Sequence, residues 1–303
     1  MRVTQSMLNT NMMRNLNGSM NGIDKYMEML SSGKRVTRPS DDPVSAVRSM
    51  YHRTALVEIE QFKRNTTEAI NWMELTDQTL GSVVNVVQRA RELVVRASSD
   101  TMAESSRSAT AEEIQQLKDQ LGALANSSIG GRYIFAGTET KNEPPYDPVA
   151  GEFVSTNNAE IKVEMGKGIF LPINIPGTEI FADSDIPGDD RESIFKVLDD
   201  AIEALTNPAS TGKDIDEFIN KIEQNFDLIT SVRSALGAKI NRIELIESRL
   251  MDSEYSTTKL LSDAEDADIP KVIINLKNQE NVHQAALSAG ARIIQRSLLD
   301  FLR

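Results

Sequence analysis

Side chains that commonly carry out chemistry are sparse in this 303-residue sequence. The two histidines, His52 and His283, each lie in a helix-like segment without a second metal ligand three or four residues away, so neither predicts a metal site. There is no cysteine to act as a nucleophile or as a zinc ligand. The segment 166–168 (Gly-Lys-Gly) is too short to be a phosphate-binding loop, and the sequence has no other glycine-rich motif of that kind.

Carboxylates are numerous, but their spacing predicts no reaction. Asp183 and Asp185 begin a segment spaced like a calcium-binding loop. Pro187 stands at the fifth position of that segment, and Ile194 replaces the bidentate glutamate that calcium requires. Adjacent aspartates occur at 41–42, 189–190 and 199–200. Two of these pairs lie at predicted helix starts, where a negative charge offsets the helix dipole. We therefore predict that the chain is not an enzyme and has no catalytic, cofactor-binding or metal site.

Composition excludes further classes of function. The net charge of −12 would repel the phosphate backbone, which argues against a nucleic-acid partner. The N-terminal residues lack the apolar core of a secretory signal peptide, and no run of 18 apolar residues occurs, so we expect no membrane insertion. The sequence is 40% hydrophobic but only 5% aromatic and contains 12 methionines, which suits long helices better than a compact aromatic core.

Apolar residues recur every three or four positions over most of the chain, which predicts long helices. In the N-terminal helix this pattern runs from Met13 to Leu30 and stops at Gly33, a residue suited to follow a helix end. Asp42 and Pro43 are predicted to cap and begin the next helix. Predicted helices cover residues 13–30, 44–98, 110–126, 193–205, 213–264 and the segment from 270 onward.

The middle of the chain has a different composition. Glycines bound the segment 130–137, which we predict to be a strand. Most of the prolines follow between residues 138 and 190, together with several short runs of β-type residues. Because this stretch is much longer than an ordinary connection, we predict a small β-rich insertion there.

The pattern is symmetric about the insertion, with a long helix, a loop and a terminal helix on either side. The predicted helix 213–264 would be about 78 Å long at 1.5 Å per residue, so it needs a partner along its length, and helix 44–98 is the natural one. We predict a mainly α fold, an elongated long-helix coiled-coil bundle formed by the N- and C-terminal segments with a small β-rich insertion domain. The predicted domains are an inner assembly domain (1–43 and 264–303), a helical rod domain (44–137 and 191–263) and the insertion domain (138–190).

Each terminal helix carries a one-sided apolar seam with little neighbouring mass in the same chain to bury it. We therefore predict that these seams form a subunit-assembly interface, and that residues 1–35 and 270–303 are disordered in the isolated monomer. The predicted interface residues are Met13, Leu16, Met20, Ile23, Met27, Leu30, Ile273, Leu276, Leu287, Ile294, Leu298 and Phe301.

Three segments resemble a known family. Residues 30–43 read LSSGKRVTRPSDDP and resemble the signature that follows the first helix in flagellins, with an Arg-Pro-Ser-Asp-Asp-Pro form closer to hook-associated protein 3. Residues 131–138 (GRYIFAGT) and 295–302 (QRSLLDFL) are similar to the start of the variable domain and to the C-terminus of the same proteins. The chain thus resembles the hook-associated protein 3 (FlgL-type) branch of the flagellin-related family. The signature-loop residues are Ser32, Gly33, Arg35, Arg38, Pro39, Asp41, Asp42 and Pro43.

This resemblance implies a structural component of the bacterial flagellum, a junction protein that connects the hook, through the preceding hook-associated protein, to the flagellin filament. It implies an extracellular location, export as an unfolded chain without a cleaved signal peptide, and assembly as a ring. The implied partners are the adjacent hook-associated protein, flagellin, other copies of the chain, and a cytoplasmic export chaperone that binds the C-terminal helix.

Two alternatives stay open at this point. Flagellin, the filament subunit, shares the termini and the architecture, and would grow long filaments on its own. A cytoplasmic coiled-coil scaffold would remain inside the cell, and its loss would leave motility intact. We also expect that the insertion, about 139–190, can be deleted without unfolding the helices, since its composition differs sharply from its flanks.

Overall fold

A computed structural model describes residues 5–98, 104–141, 143–183, 191–207 and 212–299. The helices in these ranges are α1 (Gln5–Ser32), α2 (Pro43–Ala97), α3 (Glu104–Ala125), α4 (Thr178–Phe181), α5 (Ile194–Thr206), α6 (Gly212–Glu265) and α7 (Ile269–Leu299). The strands are β1 (Ser128–Ile129), β2 (Arg132–Tyr133), β3 (Tyr146–Asp147), β4 (Glu152–Phe153), β5 (Lys162–Gly166) and β6 (Ile169–Pro172), paired as three antiparallel hairpins. The prediction of a mainly α fold with a small β-rich insertion is confirmed.

The ends of the first long helices form as their sequence signals predict. Gly33 follows α1 with a φ of 69°, the left-handed conformation that commonly terminates helices. The Asp42 side chain accepts hydrogen bonds from the backbone N–H groups of Val44 and Ser45, both at 3.2 Å, and so caps α2. These caps satisfy backbone groups that the helices themselves leave without partners.

The predicted strand at 130–137 is only partly present, because β2 covers just Arg132–Tyr133. Gly130 and Gly131 have φ angles of 56° and 77° and form the turn between β1 and β2, in which Ser128 pairs with Tyr133. Of the two-residue hairpin turns that match the twist of their strands, type I′ needs positive φ at both positions, and glycine adopts it without steric cost. The glycine pair therefore marks a reversal of the chain directly before β2, and the strand that follows is two residues long.

The chain forms two compact units. Unit 1 comprises Met1–Ile59 and Asp252–Arg303, and unit 2 comprises Glu60–Met251. Both boundaries fall inside helices, α2 and α6, so no loop marks them. The three-part assignment from the sequence has different boundaries and remains a prediction, because a unit defined by contacts within one chain need not coincide with a domain defined by assembly.

The core of unit 2 contains a seam shared by the long helices. Residues seven apart on α6 are almost completely buried, namely Ile215, Ile222, Ile229, Leu236 and Ile243. A matching buried row on α2 consists of Ala69, Met73, Leu80, Val83, Val87, Ala90 and Val94. A seven-residue repeat keeps one side of a helix against its neighbour over many turns. The Arg233 guanidinium also donates to both carboxylate oxygens of Asp77, at 2.8 and 3.0 Å. This arrangement agrees with the predicted pairing of the two long helices.

The strands that follow α3 pack into the same hydrophobic core as the helices. Tyr146 of β3 stacks on Phe195 of α5 with ring centroids 4.6 Å apart. Its backbone N–H and C=O are both bonded by the Asn126 side chain at 2.9 Å. The Tyr146 ring also lies so close to Gly122 of α3 that any side chain at that position would overlap it. This packing argues against the expectation that 139–190 can be deleted without unfolding the helices, because the deletion would expose the core. Unfolding of the deletion variant tests that expectation.

A buried ion pair joins α3 to α5. The Lys118 side chain is 7% exposed, and its Nζ lies 2.6 Å from each carboxylate oxygen of Asp199. The Asp199 side chain is 46% exposed. A buried ammonium is tolerated only when a negative charge compensates it, so the pair stabilises the contact between these two helices chiefly by keeping the lysine satisfied.

Candidate assembly interface

The two loops that lead to the terminal helices lie side by side. The Gly33 C=O accepts a hydrogen bond from the Ala267 N–H at 2.9 Å, and the Arg35 N–H donates to the Glu265 C=O at 2.6 Å. These bonds belong to a short antiparallel bridge between the loop after α1 and the loop before α7. We term this pairing the joint. It holds the C-terminal end of α1 beside the N-terminal end of α7 within unit 1.

Glu265 places a carboxylate inside the joint. Its side chain is 7% exposed, with one oxygen 2.8 Å from Lys34 Nζ and the other bonded by the Arg53 guanidinium. Burial alone would raise the pKa of this carboxyl group, but the hydrogen bonds and charges of Lys34 and Arg53 outweigh burial and hold the pKa below its usual value. The carboxylate is therefore charged at neutral pH and connects both loops to α2.

Arg35 and Asp42 secure the signature loop to the start of α2. The Arg35 guanidinium donates to the Ala264 C=O at 3.1 Å and to Ser45 Oγ at 3.2 Å. The Ser45 hydroxyl donates to the Asp42 carboxylate at 2.6 Å, and this bond, together with backbone N–H donors, lowers the pKa of Asp42. Pro43 begins α2, where its missing N–H leaves no helical bond unmade.

Arg38 and Asp41 shape the outer part of the loop. The Arg38 N–H donates to the Asp41 carboxylate at 3.0 Å, and this bond lowers the pKa of Asp41. The Arg38 guanidinium reaches Glu28 of α1 at 3.4 Å, and the Ser32 hydroxyl donates to the Glu28 C=O at 2.7 Å. Pro39 is exposed. These signature residues hold the loop together and attach it to the end of α1. They therefore determine the path of the loop.

Sequence reasoning did not single out Glu265, Lys34 or Arg53 as a group. One sequence signal does point to Glu265, the last residue of α6. A carboxylate at the C-terminal end of a helix interacts unfavourably with the helix dipole and is tolerated best beside a cation. The cation itself could not be identified, since Arg53 is 212 residues away in sequence. No local sequence pattern indicates a contact between residues so far apart in the chain.

Helices α1 and α7 pack against each other. The Gln279 amide donates to Ser19 Oγ at 3.4 Å, and Gly290 of α7 lies directly against Met12. Leu16, on the same face of α1 as Met12 and Ser19, is half-buried. The terminal helices thus cover part of each other's apolar surface, which corrects the expectation that the chain offers these seams little to pack against. Their disorder in the isolated monomer remains a prediction.

The structure divides the predicted interface residues into two groups. The half-buried ones are Leu16, Ile23 and Leu276, and the exposed ones are Met13, Met20, Met27, Leu30, Ile273 and Leu287. Ile294 and Leu298 fall in α7, but their side chains, and all of Phe301, lie outside the described residues. The α1 pattern that was interpreted as one seam contains two seven-residue rows, since residues three apart on a helix point about 60° apart. One row is Met13, Met20 and Met27; the other is Leu16, Ile23 and Leu30, of which Leu16 and Ile23 are half-buried. We term the exposed group the exposed rows, the part of the set that a neighbouring subunit could cover.

Within the described residues, no group of three or more His, Cys, Asp or Glu side chains could hold a metal ion. None of the described helices is long and apolar enough to cross a membrane. The His52 ring packs edge-on against Tyr51, with centroids 5.6 Å apart, and His283 lies half-buried in α7. The joint and the exposed rows are therefore the features of unit 1 to which we attribute a function.

Known proteins are similar to this chain over nearly its whole length. The family model of the bacterial flagellin N-terminal helical region matches residues 3–140, and that of the C-terminal helical region matches residues 219–302. The flagellar hook-associated protein 3 of Escherichia coli (strain K12) is 30% identical over 305 residues, which cover 95% of this chain and 96% of the relative. A flagellin of Halalkalibacterium halodurans is 25% identical over 292 residues, covering 96% of this chain and 95% of the relative.

A solved structure has the same fold. The flagellar junction protein FlgL from Legionella pneumophila matches with a TM-score of 0.60 at 17% identity, covering 72% of this chain and 100% of that one. The matched length, the signature loop and the 30% identity to the Escherichia coli protein lead to one conclusion. The chain belongs to the flagellar hook-associated protein 3 family.

Proposed function

We propose that this chain is a structural subunit of the bacterial flagellum that occupies the junction between hook and filament, outside the cell. The observation that carries the proposal is the near full-length match to a hook-associated protein, 30% identical over 95% of the chain. The exposed rows on both terminal helices support it, because rows of large apolar side chains on helices are typical of surfaces that another helix covers. The role is connective and not catalytic.

The chain has two kinds of partner in this proposal, other copies of itself and other axial proteins of the flagellum. Residues 1–43 and 264–303 form the assembly domain, whose exposed rows pair with those of neighbouring copies to build a ring. The adjacent hook-associated protein lies on one side of the ring and flagellin on the other. The chain is exported unfolded without a cleaved signal peptide, and a cytoplasmic chaperone covers its C-terminal helix beforehand. The absence of cysteine suits this route, because no disulfide has to be broken for the chain to unfold.

Flagellin is the second candidate, because a flagellin matches over a similar length at 25% identity. The two functions differ in self-assembly. A filament subunit adds to fragments of its own filament and lengthens them without limit, whereas a junction subunit does not. Electron microscopy of the purified chain after incubation at high concentration separates the candidates, and long filaments made of this chain alone would favour flagellin and overturn the junction proposal.

Two single substitutions test whether the exposed rows are the assembly surface. Met20→Asp on α1 and Leu287→Asp on α7 each place a charge where water solvates it in the free subunit. Buried in a contact between subunits, an unpaired charge strongly opposes association. In cells that lack the wild-type gene, we expect both variants to be exported and to support no filaments.

The matched control is Asn21→Asp, which adds the same charge to α1 at an exposed polar position outside the exposed rows. We expect this variant to support filaments as the wild type does. Normal filaments with Met20→Asp and Leu287→Asp would remove the exposed rows from the interface. Loss of filaments with all three variants would mean that any added charge on these helices prevents assembly, which also contradicts a specific role for the rows.

A further inference from the structure

Methionine is concentrated in α1. The helix contains half of the 12 methionines of the chain, namely Met7, Met12, Met13, Met20, Met27 and Met29. Three of them, Met13, Met20 and Met27, repeat every seven residues and are 57%, 49% and 55% exposed. We term these three residues the methionine stripe. Because residues seven apart lie on one side of a helix, the stripe presents three thioethers to solvent in a single row.

An exposed thioether is open to oxidation. Hydrogen peroxide transfers one oxygen atom to the sulfur, so that an S=O bond forms, the O–O bond breaks, and the remainder of the peroxide leaves as water. The sulfur is oxidised by two electrons and the peroxide is reduced by two. This chain has no cysteine, so no thiol of its own competes for the oxidant. The sulfoxide is polar and no longer packs as a flexible apolar side chain.

We propose that the methionine stripe is an oxidation site whose state decides whether another helix can cover this face of α1. The inference rests on the proposed function, in which that face is a subunit contact. Reduced, the stripe offers polarizable apolar side chains. Oxidised, it offers three S=O acceptors, and burying them without hydrogen-bond donors opposes association.

The fold of the subunit should tolerate this change. Met13 and Met20 directly follow Met12 and Ser19, the two residues that contact α7. Because successive residues of a helix point about 100° apart, the stripe faces about 100° away from that contact. Sulfoxides on the stripe point into water in the free chain, where their oxygens are solvated. Oxidation therefore alters the outer face of α1 and leaves the α1–α7 contact intact.

Peptide mapping by mass spectrometry tests the site itself. The purified full-length chain is exposed to hydrogen peroxide and quenched at intervals. We expect the stripe to reach half-oxidation about tenfold sooner than Met73 and Met165, which are 1% and 0% exposed. Helix content by circular dichroism should not change over this period. Equal rates at the stripe and at the two buried methionines would overturn the assignment.

Leucine substitution tests the consequence, because leucine has a similar volume and cannot accept the oxygen. Purified chain is added to the medium of cells that lack its gene, and the restored filaments are counted with and without prior peroxide treatment. We expect treatment to lower the count about tenfold or more for the wild type and to leave the triple variant Met13→Leu, Met20→Leu, Met27→Leu unaffected. A variant with Met50→Leu and Met251→Leu, two exposed methionines outside α1, should stay as sensitive as the wild type.

A second measurement needs no variant. After partial oxidation of the wild type, chain recovered from the restored filaments should carry several-fold less sulfoxide on the stripe than chain left in the medium, with equal sulfoxide at Met50. Equal sulfoxide on the stripe in both fractions, or a wild type insensitive to peroxide, would overturn the oxidation proposal while the proposed function stands. If untreated wild-type chain restores no filaments and is absent from the hook tip by labelling, the proposed function itself fails.

Discussion

Replacing Glu265 by glutamine removes the charge at the centre of the joint and keeps the shape of the side chain. The carboxylate is almost buried and is bonded by Lys34 and Arg53. A hydrogen bond to a charged group contributes about 1.5–3 kcal/mol. The two cations are 38% and 53% exposed, however, and water can solvate them once the carboxylate is gone. We therefore expect opening of the joint to become easier by about 1–3 kcal/mol in total in Glu265→Gln.

Native-state hydrogen exchange reports this opening directly. The backbone N–H groups of Arg35 and Ala267 both donate across the joint, so they exchange when it opens. The expected change corresponds to roughly 5- to 150-fold faster exchange at pH 7, since about 1.4 kcal/mol is a factor of ten. The control is Glu280→Gln, which removes an exposed ion pair with Lys277 in the same unit. It should change exchange less than about fivefold, because exposed pairs contribute about 0–1 kcal/mol.

The pH dependence gives a second test of the same reasoning. The pKa of Glu265 is held below its usual value of 4.5. A carboxyl group whose folded-state pKa is lowered contributes its stabilisation fully above the usual pKa and loses it as the pH falls through the folded pKa. The difference in exchange between wild type and Glu265→Gln should therefore be constant near neutral pH and shrink below pH 4.5. A difference that is absent at pH 7, or that persists unchanged in strong acid, would refute the assignment of Glu265 as the charged centre.

Three further predictions concern unit 2 and are measured by urea or thermal unfolding. Asp199→Asn should lower the free energy of unfolding more than Lys118→Met does. The first substitution leaves a buried ammonium unpaired, whereas the second leaves a half-exposed carboxylate that water can solvate. The reverse order would contradict this. Gly122→Ala should lower the free energy of unfolding by about 1–3 kcal/mol, because the added methyl group overlaps the Tyr146 ring. An unchanged urea midpoint would show that the ring moves away freely. Deleting 139–190 should broaden the unfolding transition of the helices or make it non-cooperative, because this segment completes their core. A sharp transition at the wild-type temperature would show that the segment is separable.

The long helices could be predicted from the sequence because their signals are local. An apolar spacing of three and four residues sustained over many turns, and the residues Gly33 and Asp42 at helix ends, report structure within a few positions of themselves. The glycine pair 130–131 is also a local signal but an ambiguous one. It is compatible with a strand boundary and with a hairpin turn, and only the pairing of Ser128 with Tyr133 distinguishes them.

The features that sequence reasoning missed depend on residues far apart in the chain. The α1 pattern could be assigned to a helix, but which of its two rows meets α7 depends on Gln279 and Gly290, more than 250 positions away. The Glu265 site combines a loop, the first turns of α2 and the end of α6. The role of Tyr146 in the helical core likewise appears only once the chain has folded back on Phe195. Periodicity in the sequence identifies helices and strands, whereas these sites depend on how the helices and strands pack against one another.

Electron microscopy of cells from which the gene for this chain has been deleted tests the central claim most directly. If the chain is the structural link on which the filament is built, the deletion strain should form hooks of normal length that carry no filament, and flagellin should accumulate in the medium. Restoring the gene should restore the filaments. Hooks that still carry filaments in the deletion strain would contradict the claim that this chain joins hook to filament.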